Sequence, residues 1–242
     1  NHNSARSLER VLKSKQRDNA LVLVEGIYSL DGDKGKLPEI VEVCERHGAV
    51  LLCDDAHGTG TIGASGRGSL EHFDLQGRVP LLMSAFSKVF GGIGGLLCGS
   101  SDVIEHIKHT ARSFVFSASL PVPVVVAIST ILDMVERDGT AFVQELDDKA
   151  GYMRGRLLEL GFDLGKSDSH IMPVMCGDEA RVLFMHMALL REGTLMVPIT
   201  YPGVKKGDER LRLNITRGHT REEMDQALER LARHGKAFGI LS

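Results

Sequence analysis

The stretch AVLLCDDAHGTG, residues 49–60, decides the fold, because an apolar run of strand length leads directly into polar residues and glycines. Similar apolar runs occupy residues 20–25, 80–85 and 95–99, and a helix-like segment, LPEIVEVCERHG (37–48), precedes the quoted strand. Strands that are apolar throughout are typical of sheets covered by helices on both faces. The sequence therefore predicts an α/β fold with a mostly parallel sheet.

The pattern changes in the second half of the chain. Residues 121–139 and 140–161 predict two long helices, and short strand candidates then alternate with helices. These strand candidates are residues 170–176, 194–200 and 209–216. We expect a boundary between two domains, a larger one of residues 1–134 and a smaller C-terminal α/β domain of residues 135–242.

The composition narrows the class of protein. Of the 242 residues, 43% are hydrophobic and the formal net charge is −3, whereas nucleic-acid-binding domains usually carry a concentrated basic excess. No apolar run approaches the roughly 20 residues that span a bilayer. The four cysteines are scattered singly and two lie in apolar runs, which predicts reduced, buried thiols. We therefore expect a cytoplasmic protein with no nucleic-acid partner and no membrane span.

The DDAH motif places Asp54 and His57 just after a predicted strand. Ligands of open α/β sheets lie beyond the carboxyl ends of the strands, so both side chains can face one ligand; alternatively, the aspartate is structural and caps the turn. A metal site would need a second His or Cys at ligand spacing, which is absent. A nucleotide site would need a phosphate loop, and a serine hydrolase would need G-x-S-x-G; the sequence has neither.

The segment FSKVFGGIGG (86–95) surrounds Lys88 with apolar residues and glycines. Such surroundings disfavour a charged amine, which lowers its pKa and makes it a usable nucleophile. An amine of this kind can form a Schiff base with pyridoxal 5'-phosphate (PLP), whose ring nitrogen needs a carboxylate and whose ring hydroxyl and phosphate need hydrogen-bond partners. Asp54, His57 and Ser87 match these needs in kind. The alternative is a solvated surface lysine.

These motifs, together with others in the same order, resemble the α-oxoamine synthases, PLP-dependent enzymes that condense an amino acid with an acyl-CoA. The matching stretches are His2-Asn3, EGIYSLDGD (25–33), DDAHGTGTIGASGRG (54–68), FSKVFGGIGG (86–95), FSASLP (116–121) and RLRLNITRGHT (210–220). The resemblance extends over essentially the whole chain. It implies a fold-type I PLP-dependent transferase, similar to aspartate aminotransferase, with a mostly parallel sheet in the large domain and a smaller C-terminal α/β domain.

The resemblance also implies roles for individual residues. Lys88 would bind the cofactor as a Schiff base and act as the base. Asp54 would contact the ring nitrogen, and His57 would contact the ring hydroxyl and donate to the thioester carbonyl. Ser29 would lie near the cofactor, and Ser87 would help to hold its phosphate.

Two further segments extend this site. FSASLP resembles a segment that reaches the phosphate in the neighbouring subunit, so Ser117 and Ala118 would lie there and a homodimer with shared active sites is expected. Arg212 would bind the carboxylate of the amino acid. Arg210 and Arg212 lie on one face of a predicted strand, and a planar guanidinium suits a carboxylate; the alternative for Arg212 is a surface salt bridge.

The sequence departs from the family pattern in two places. Many members have Thr where this chain has Ala85, which leaves Ser84 or Ser87 to replace the hydroxyl. The family also has well over a hundred residues before His2-Asn3, and these carry a phosphate-binding turn and a histidine that stacks on the ring. We therefore expect a fragment of a longer protein that holds part of the site.

More than one assignment is open both for the substrates and for the class of activity. FSK and FSASLP favour a serine palmitoyltransferase, whereas DDAHGTG is more similar to 8-amino-7-oxononanoate synthase and glycine C-acetyltransferase (2-amino-3-ketobutyrate CoA ligase); 5-aminolevulinate synthase is a further member. The alternative from another class is a non-catalytic scaffold or regulatory subunit with the same fold. Such a subunit would be expected to have lost the lysine, and Lys88 is present.

Overall fold

The computed structural model describes residues 1–15 and 19–241. Its contacts divide the chain into two compact units: unit 1 contains Asn1–Ile27 and Gly35–Val143, and unit 2 contains Tyr28–Lys34 and Gln144–Ser242. The boundary predicted at residues 134/135 and the change of unit after Val143 lie in one helix, Val122–Glu159. The assignment of an early segment to unit 2 has no counterpart in the sequence-based division.

Unit 1 contains a sheet whose described strands follow the chain order. They are β1 (Leu21–Glu25), β2 (Val50–Asp54), β3 (Leu81–Ala85) and β4 (Gly95–Cys98). β1, β2 and β3 are parallel, and β4 is antiparallel to β3. In register, Asp54 lies opposite Glu25 on one side and Met83 on the other. The predicted mostly parallel sheet is confirmed, and the carboxyl ends of β1, β2 and β3 share one edge.

Helix α2 (Leu37–Arg46) packs on the sheet of unit 1 and buries apolar side chains of β2. Within the described residues, the helices of this unit are α1 (Ala5–Lys15), α2, α3 (Ser69–His72), α4 (Ser101–Thr110), α5 (Arg112–Val115) and the first part of α6 (Val122–Glu159). Helix α2 has a proline in its first turn, where its missing N–H costs nothing. The buried Leu37, Ile40 and Val41 of this helix pack with Leu51 and Cys53 of β2.

One face of the sheet is open at β1 and β2. Leu21, Leu23 and Val50 are 58%, 67% and 44% exposed, whereas the intervening Val22 and Leu51 are buried. The expectation of a sheet covered on both faces is therefore wrong for this part of the described chain. The reason is the period of two in a strand, which turns every second apolar side chain away from the core.

Helix α6 is continuous where the sequence predicts two helices. Gly139 lies inside it and is buried, and a Cβ at this position would overlap the carbonyl oxygen of Ser65. This glycine therefore permits a close approach of the chain at Ser65 instead of ending a helix. Although α6 has 38 residues, neither it nor another helix within residues 1–15 and 19–241 has the length and apolar character to cross a membrane.

The cysteines differ in burial. Cys44, Cys53 and Cys176 are buried, whereas Cys98 is exposed. The prediction of buried thiols is thus wrong for Cys98, because β4 is the last strand in the described order of this sheet and Cys98 ends it.

Helices α4 and α5 lie at the surface of unit 1. Neither contains a buried residue. The segment around them nevertheless carries large apolar side chains: Phe114, Phe116 and Val122 are 62%, 83% and 74% exposed. Among the residues that the structure describes, the apolar surface at residues 114–126 stays largely uncovered.

Unit 2 contains a second, antiparallel sheet. Its described strands are β5 (Ile171–Met175), β6 (Val197–Ile199) and β7 (Arg210–Asn214), with β7 between the other two. Helices α7 (Glu179–Arg191), α8 (Arg221–Ala237) and the end of α6 complete the unit. A capping box begins α8, since Thr220 and Glu223 exchange side chain-to-backbone hydrogen bonds.

The core of unit 2 confirms the two-sided pattern of the last strand. Leu211, Leu213 and Ile215 are buried in a cluster with α6, α7 and α8. Arg210 and Arg212 lie on the opposite face of β7, as the alternation predicts.

Candidate functional site

The DDAH turn is fixed to the carboxyl edge of the sheet in unit 1. The carbonyl of Asp54 accepts a hydrogen bond from Gly26 N at 2.7 Å, and Asp55 N donates to the carbonyl of Met83 at 2.8 Å. The end of β2 is thereby tied to both neighbouring parallel strands. The turn lies where an open α/β sheet binds its ligands.

Asp54 and His57 are both half-buried on this turn. Oδ1 of Asp54 accepts from Ala56 N at 3.0 Å, a local bond that fixes the carboxylate at the start of the turn. The carbonyl of His57 accepts from Oγ1 of Thr61 at 2.5 Å. These bonds hold the backbone of both residues while leaving two different polar side chains at one sheet edge.

The structural aspartate of this motif is Asp55, whose role the sequence analysis missed. Asp55 is 0% exposed. Its Oδ2 accepts from Ser69 N and Thr59 Oγ1, each at 3.1 Å, and its Oδ1 accepts from Ser69 Oγ. Burial raises the pKa of Asp55 to about 6, although the hydrogen bonds from Ser69 and Thr59 act in the opposite direction.

Lys88 lies in the loop that joins β3 to the antiparallel β4. Phe86 N donates to Gly94 O at 2.9 Å, Gly92 N to Phe86 O at 2.7 Å, and Gly91 N to Lys88 O at 3.0 Å. Hydrogen bonds across the loop therefore define the backbone at the lysine. The glycines allow this compact path, and the φ of Gly91 is +56°.

The environment of Lys88 differs from the one its sequence neighbours predict. Phe86 and Phe90 are buried against Ile128, whereas Ser87 and Lys88 are exposed. The expected apolar enclosure of the amine is therefore wrong in this chain. The physical reason is that the aromatic neighbours turn into the core, which directs the lysine outwards.

The two loops of the site touch each other. Gly60, with a φ of +78°, faces Val89, and a Cβ at this glycine would lie 2.7 Å from Cγ1 of Val89. The turn that carries His57 therefore packs next to the residue that follows Lys88. Asp54, His57, Ser87 and Lys88 are thus brought to one edge of unit 1.

The FSASLP segment contacts the same loop through its leucine. A Cβ at Gly94 would lie 2.8 Å from Cδ2 of Leu120. Ser117 and Ala118 are exposed, and Oγ of Ser117 donates to the carbonyl of Ser113. These two side chains are available at the surface of unit 1.

The hydroxyls near Ala85 are not equivalent. Ser84 is 1% exposed, and its Oγ has no hydrogen-bond partner among the residues that the structure describes. Ser87 is exposed in the loop. Of the two replacements weighed for the missing threonine, Ser87 is the one that a phosphate can reach.

Ser29 and Arg212 belong to unit 2. The segment that carries Ser29 is closed by hydrogen bonds from Tyr28 N to Asp33 O at 2.9 Å and from Gly32 N to Tyr28 O at 2.8 Å. Arg210 holds this segment, since its Nη1 lies 2.8 Å from Oδ1 of Asp31. The alternation along the strand predicted the face on which Arg210 lies but not this role.

Arg212 lies in the middle of β7 and is partly buried. Its register neighbours are Pro173 of β5 and Val197 of β6. The pKa of His170 is lowered to about 4, first by burial and then by the positive charges of Arg212 and Lys34. Arg212 and Lys34 therefore both act on His170, and together with burial they favour its neutral form.

The donor set of unit 1 fits PLP in its chemistry. A carboxylate, an imidazole, a hydroxyl and an amine lie at one sheet edge, and these are the groups that the ring nitrogen, ring hydroxyl, phosphate and aldehyde need. None of the four is sequestered in the core.

Known proteins are similar to this chain in sequence and in fold. Residues 1–231 match the model of the family Aminotransferase class I and II. The chain is 40% identical to an 8-amino-7-oxononanoate synthase of Thermoanaerobacter pseudethanolicus, covering 99% of this chain and 61% of that protein. It is 39% identical to a serine palmitoyltransferase of Bacteriovorax stolpii, with 99% and 57% covered.

A solved structure extends the likeness to three dimensions. A variant of serine palmitoyltransferase from S. paucimobilis with a bound PLP–myriocin aldimine is 32% identical and has a TM-score of 0.90, covering 99% of this chain and 61% of that one. The chain thus spans about three fifths of the length of these three relatives, and the resemblance drawn from its motifs is confirmed. It belongs to the aminotransferase class I and II family, has the fold of the fold-type I PLP-dependent transferases, and is a relative of the α-oxoamine synthases.

Proposed function

We propose that this chain supplies the lysine-bearing part of a PLP-dependent acyltransferase that condenses an amino acid with an acyl-CoA. The observation that carries the proposal is the placement of Asp54, His57, Ser87 and Lys88 on two touching loops at the carboxyl edge of one sheet. A carboxylate, an imidazole and an exposed amine in this arrangement match the polar atoms of PLP.

Each of these residues has a role that its chemistry supports. The amine of Lys88 would hold the cofactor through its aldehyde and, once the amino acid has displaced it, would accept the α-proton at Nζ. The carboxylate of Asp54 keeps a proton on the ring nitrogen, and His57 contacts the ring hydroxyl. Ser87 holds the phosphate, a role supported by its exposed hydroxyl. When bound, the cofactor supplies a ring that withdraws electrons from the α-carbon.

Residues of unit 2 serve the amino acid in this proposal. Arg212 binds its carboxylate, because a guanidinium forms paired, charge-assisted hydrogen bonds with a planar anion. Ser29 lies near the cofactor on the segment that Arg210 holds. During condensation, His57 donates to the carbonyl of the thioester.

The substrates of the protein are proposed to be serine and a long-chain acyl-CoA. FSK and FSASLP favour this assignment, and the relatives include both a serine palmitoyltransferase and an 8-amino-7-oxononanoate synthase. Release of CoA thiol from palmitoyl-CoA with serine, compared with acetyl-CoA and glycine, distinguishes serine palmitoyltransferase activity from glycine C-acetyltransferase activity. A cytoplasmic location stays a prediction from the sequence.

Cofactor binding is tested by fixing it covalently. The full-length protein is mixed with PLP, reduced with borohydride and digested, and the peptides are analysed by mass spectrometry. We expect one stable adduct on the Lys88 peptide, none in Lys88→Ala, and an unchanged yield in the control Lys108→Ala, an exposed lysine of the same unit. Absence of the adduct in the wild type would favour the scaffold alternative.

We further propose that the protein is a homodimer with shared sites. The exposed Phe114, Phe116 and Val122 and the exposed Ser117 and Ala118 support a partner at this surface of unit 1. A second copy would bury this apolar area and receive Ser117 and Ala118 at the phosphate of its cofactor.

Complementation tests this sharing. Two inactive variants, Lys88→Ala and Ala118→Trp, are mixed and refolded together. Mixed dimers then contain one intact site, so about a quarter of the wild-type activity should return at random pairing. No recovery, or an active monomer in sedimentation, would contradict shared sites.

A further inference from the structure

We propose that Asp55 is a positioning residue of the candidate site: its buried carboxylate holds the turn that carries His57 and, through Gly60, the loop that carries Lys88. Its effect on the cofactor depends on the proposed function. Its effect on the two loops depends on contacts within unit 1.

Hydrogen bonds fix the carboxylate of Asp55 on both oxygens. Oδ2 accepts from Ser69 N and from Oγ1 of Thr59, each at 3.1 Å, while Oδ1 accepts from Oγ of Ser69. One partner belongs to the same turn and the other begins α3, fourteen positions along the chain. The carboxylate therefore fastens the turn to a separate element of the unit.

Three glycines make room for this carboxylate. A Cβ at Gly26 or Gly58 would overlap Oδ1 of Asp55, and a Cβ at Gly68 would overlap Oδ2. They come from the end of β1, from the turn itself and from the residue before α3. Backbone thus surrounds the carboxylate closely, which leaves it little freedom to move.

The backbone of Asp55 carries this constraint to His57. Its N donates to Met83 O of β3 at 2.8 Å, and its carbonyl accepts from Gly58 N at 3.1 Å and from Thr59 N at 2.9 Å. His57 lies between these fixed points. A shift of Asp55 must therefore move the imidazole.

The same constraint reaches the lysine loop in one further step. Thr59 is bound to Asp55 through both its N and its hydroxyl, and the next residue, Gly60, packs on Val89. Val89 follows Lys88 directly. The position of Asp55 therefore influences both the turn that carries His57 and the loop that carries Lys88. Asp54 and Ser87 alone would not couple these two loops.

The substitution that separates geometry from charge is Asp55→Asn. An asparagine fits the same enclosure, because its oxygen can accept from Ser69 N and Thr59 while its amide donates to Oγ of Ser69. Asp55→Ala removes these contacts. Gly58→Ala keeps the aspartate but displaces its carboxylate, because the added Cβ would overlap Oδ1.

Three measurements on the full-length protein test the role. They are the side-chain resonances of His57, assigned with His57→Asn, the amide exchange of residues 56–61, and the dissociation constant of PLP. We expect Asp55→Ala and Gly58→Ala to shift the His57 signals, to speed this exchange about tenfold or more, and to weaken PLP binding about tenfold. Asp55→Asn should keep the wild-type signals and affinity.

The control is Asp178→Ala, which removes the N-cap of α7 in unit 2 and lowers stability without touching these loops. It should change none of the three measurements. Unshifted His57 signals in Asp55→Ala would overturn the proposal, as would a loss in Asp55→Asn equal to that in Asp55→Ala. If the wild type binds no PLP, the proposed function fails, while the His57 signals and amide exchange still decide the role of Asp55.

Discussion

Arg210 and Asp31 form an ion pair between residues 179 positions apart, with 2.8 Å from Nη1 to Oδ1. The guanidinium side chain is 6% exposed, whereas the carboxylate is 43% exposed. Arg210 also donates to the carbonyls of Asp208 at 2.8 Å and Leu30 at 3.3 Å. The segment that carries Ser29 is therefore joined to β7 by an arginine two residues from Arg212.

Replacing Asp31 should lower the stability more than replacing Arg210. Asp31→Asn leaves a buried guanidinium without its carboxylate, so we expect it to lower the free energy of unfolding by about 2 kcal/mol. Arg210→Met leaves an exposed carboxylate and should cost less. Urea unfolding measures both variants, and the double variant should recover part of the loss; equal losses in the single variants would contradict the asymmetry.

The contact between the two loops of unit 1 predicts a second pair of variants. Gly60→Ala combines an unfavourable φ of +78° with a clash against Val89, whereas Gly48→Ala at φ +62° meets nothing within 4 Å. The control therefore shows the cost of backbone strain alone, about 1 kcal/mol. Thermal unfolding should show a larger loss of stability for Gly60→Ala than for Gly48→Ala. Adding Val89→Ala to Gly60→Ala should remove this extra loss. Similar losses at both glycines would mean that the loops do not press on each other.

The proposed role of Arg212 predicts a split in kinetic constants. Arg212→Met should raise KM for the amino acid at least about tenfold, because the charge-assisted hydrogen bonds to its carboxylate are lost. The yield of the Lys88 adduct with PLP should stay unchanged. Arg217→Lys, which changes an exposed arginine paired with Glu145, serves as the control. An unchanged KM in Arg212→Met would assign the carboxylate to another residue.

His170 and Asp55 predict opposite dependences of stability on pH. The pKa of His170 is lowered from 6.5 to about 4. Its contribution to the free energy of unfolding, on the order of 3 kcal/mol, is therefore fully present above pH 6.5 and is lost as the pH falls towards 4. The pKa of Asp55 is raised from 3.8 to about 6, so its contribution is present below pH 3.8 and is lost as pH rises through 6.

Single variants separate these two effects. Between pH 4 and 6.5, His170→Gln should remove a rise of stability with pH, and Asp55→Asn should remove a fall. Urea unfolding at several pH values measures the slopes. A slope that changes in the same direction in both variants would contradict one of the two assignments.

The sequence predicted those site residues whose positions follow from the strand pattern along the chain. The polar ends of β2 and β3 lie at one edge because parallel neighbours share an edge, so Asp54, His57 and Lys88 could be grouped without coordinates. The alternation along β7 likewise separated Arg210 and Arg212 from the core leucines. Strand period is a local property, which a sequence displays directly. The grouping held because neighbouring strands of this sheet also follow each other along the chain.

The parts that were missed depend on partners distant along the chain. Asp54 and Asp55 are adjacent and chemically identical, and Ser69 and three glycines decide which of them is buried. The partner of Arg210 is 179 positions away. The exposure of Lys88 was missed for a related reason, since Phe86 and Phe90 turn towards Ile128 of α6. Contacts of this kind have no period that a sequence pattern can reveal.

Helices α4 and α5 have ten and four residues and contribute none of them to the interior of the chain. Helices this short are marginal in water without packing against other surfaces. If a second copy provides that packing, mass action links folding to assembly, and the melting temperature of the protein will rise with its concentration.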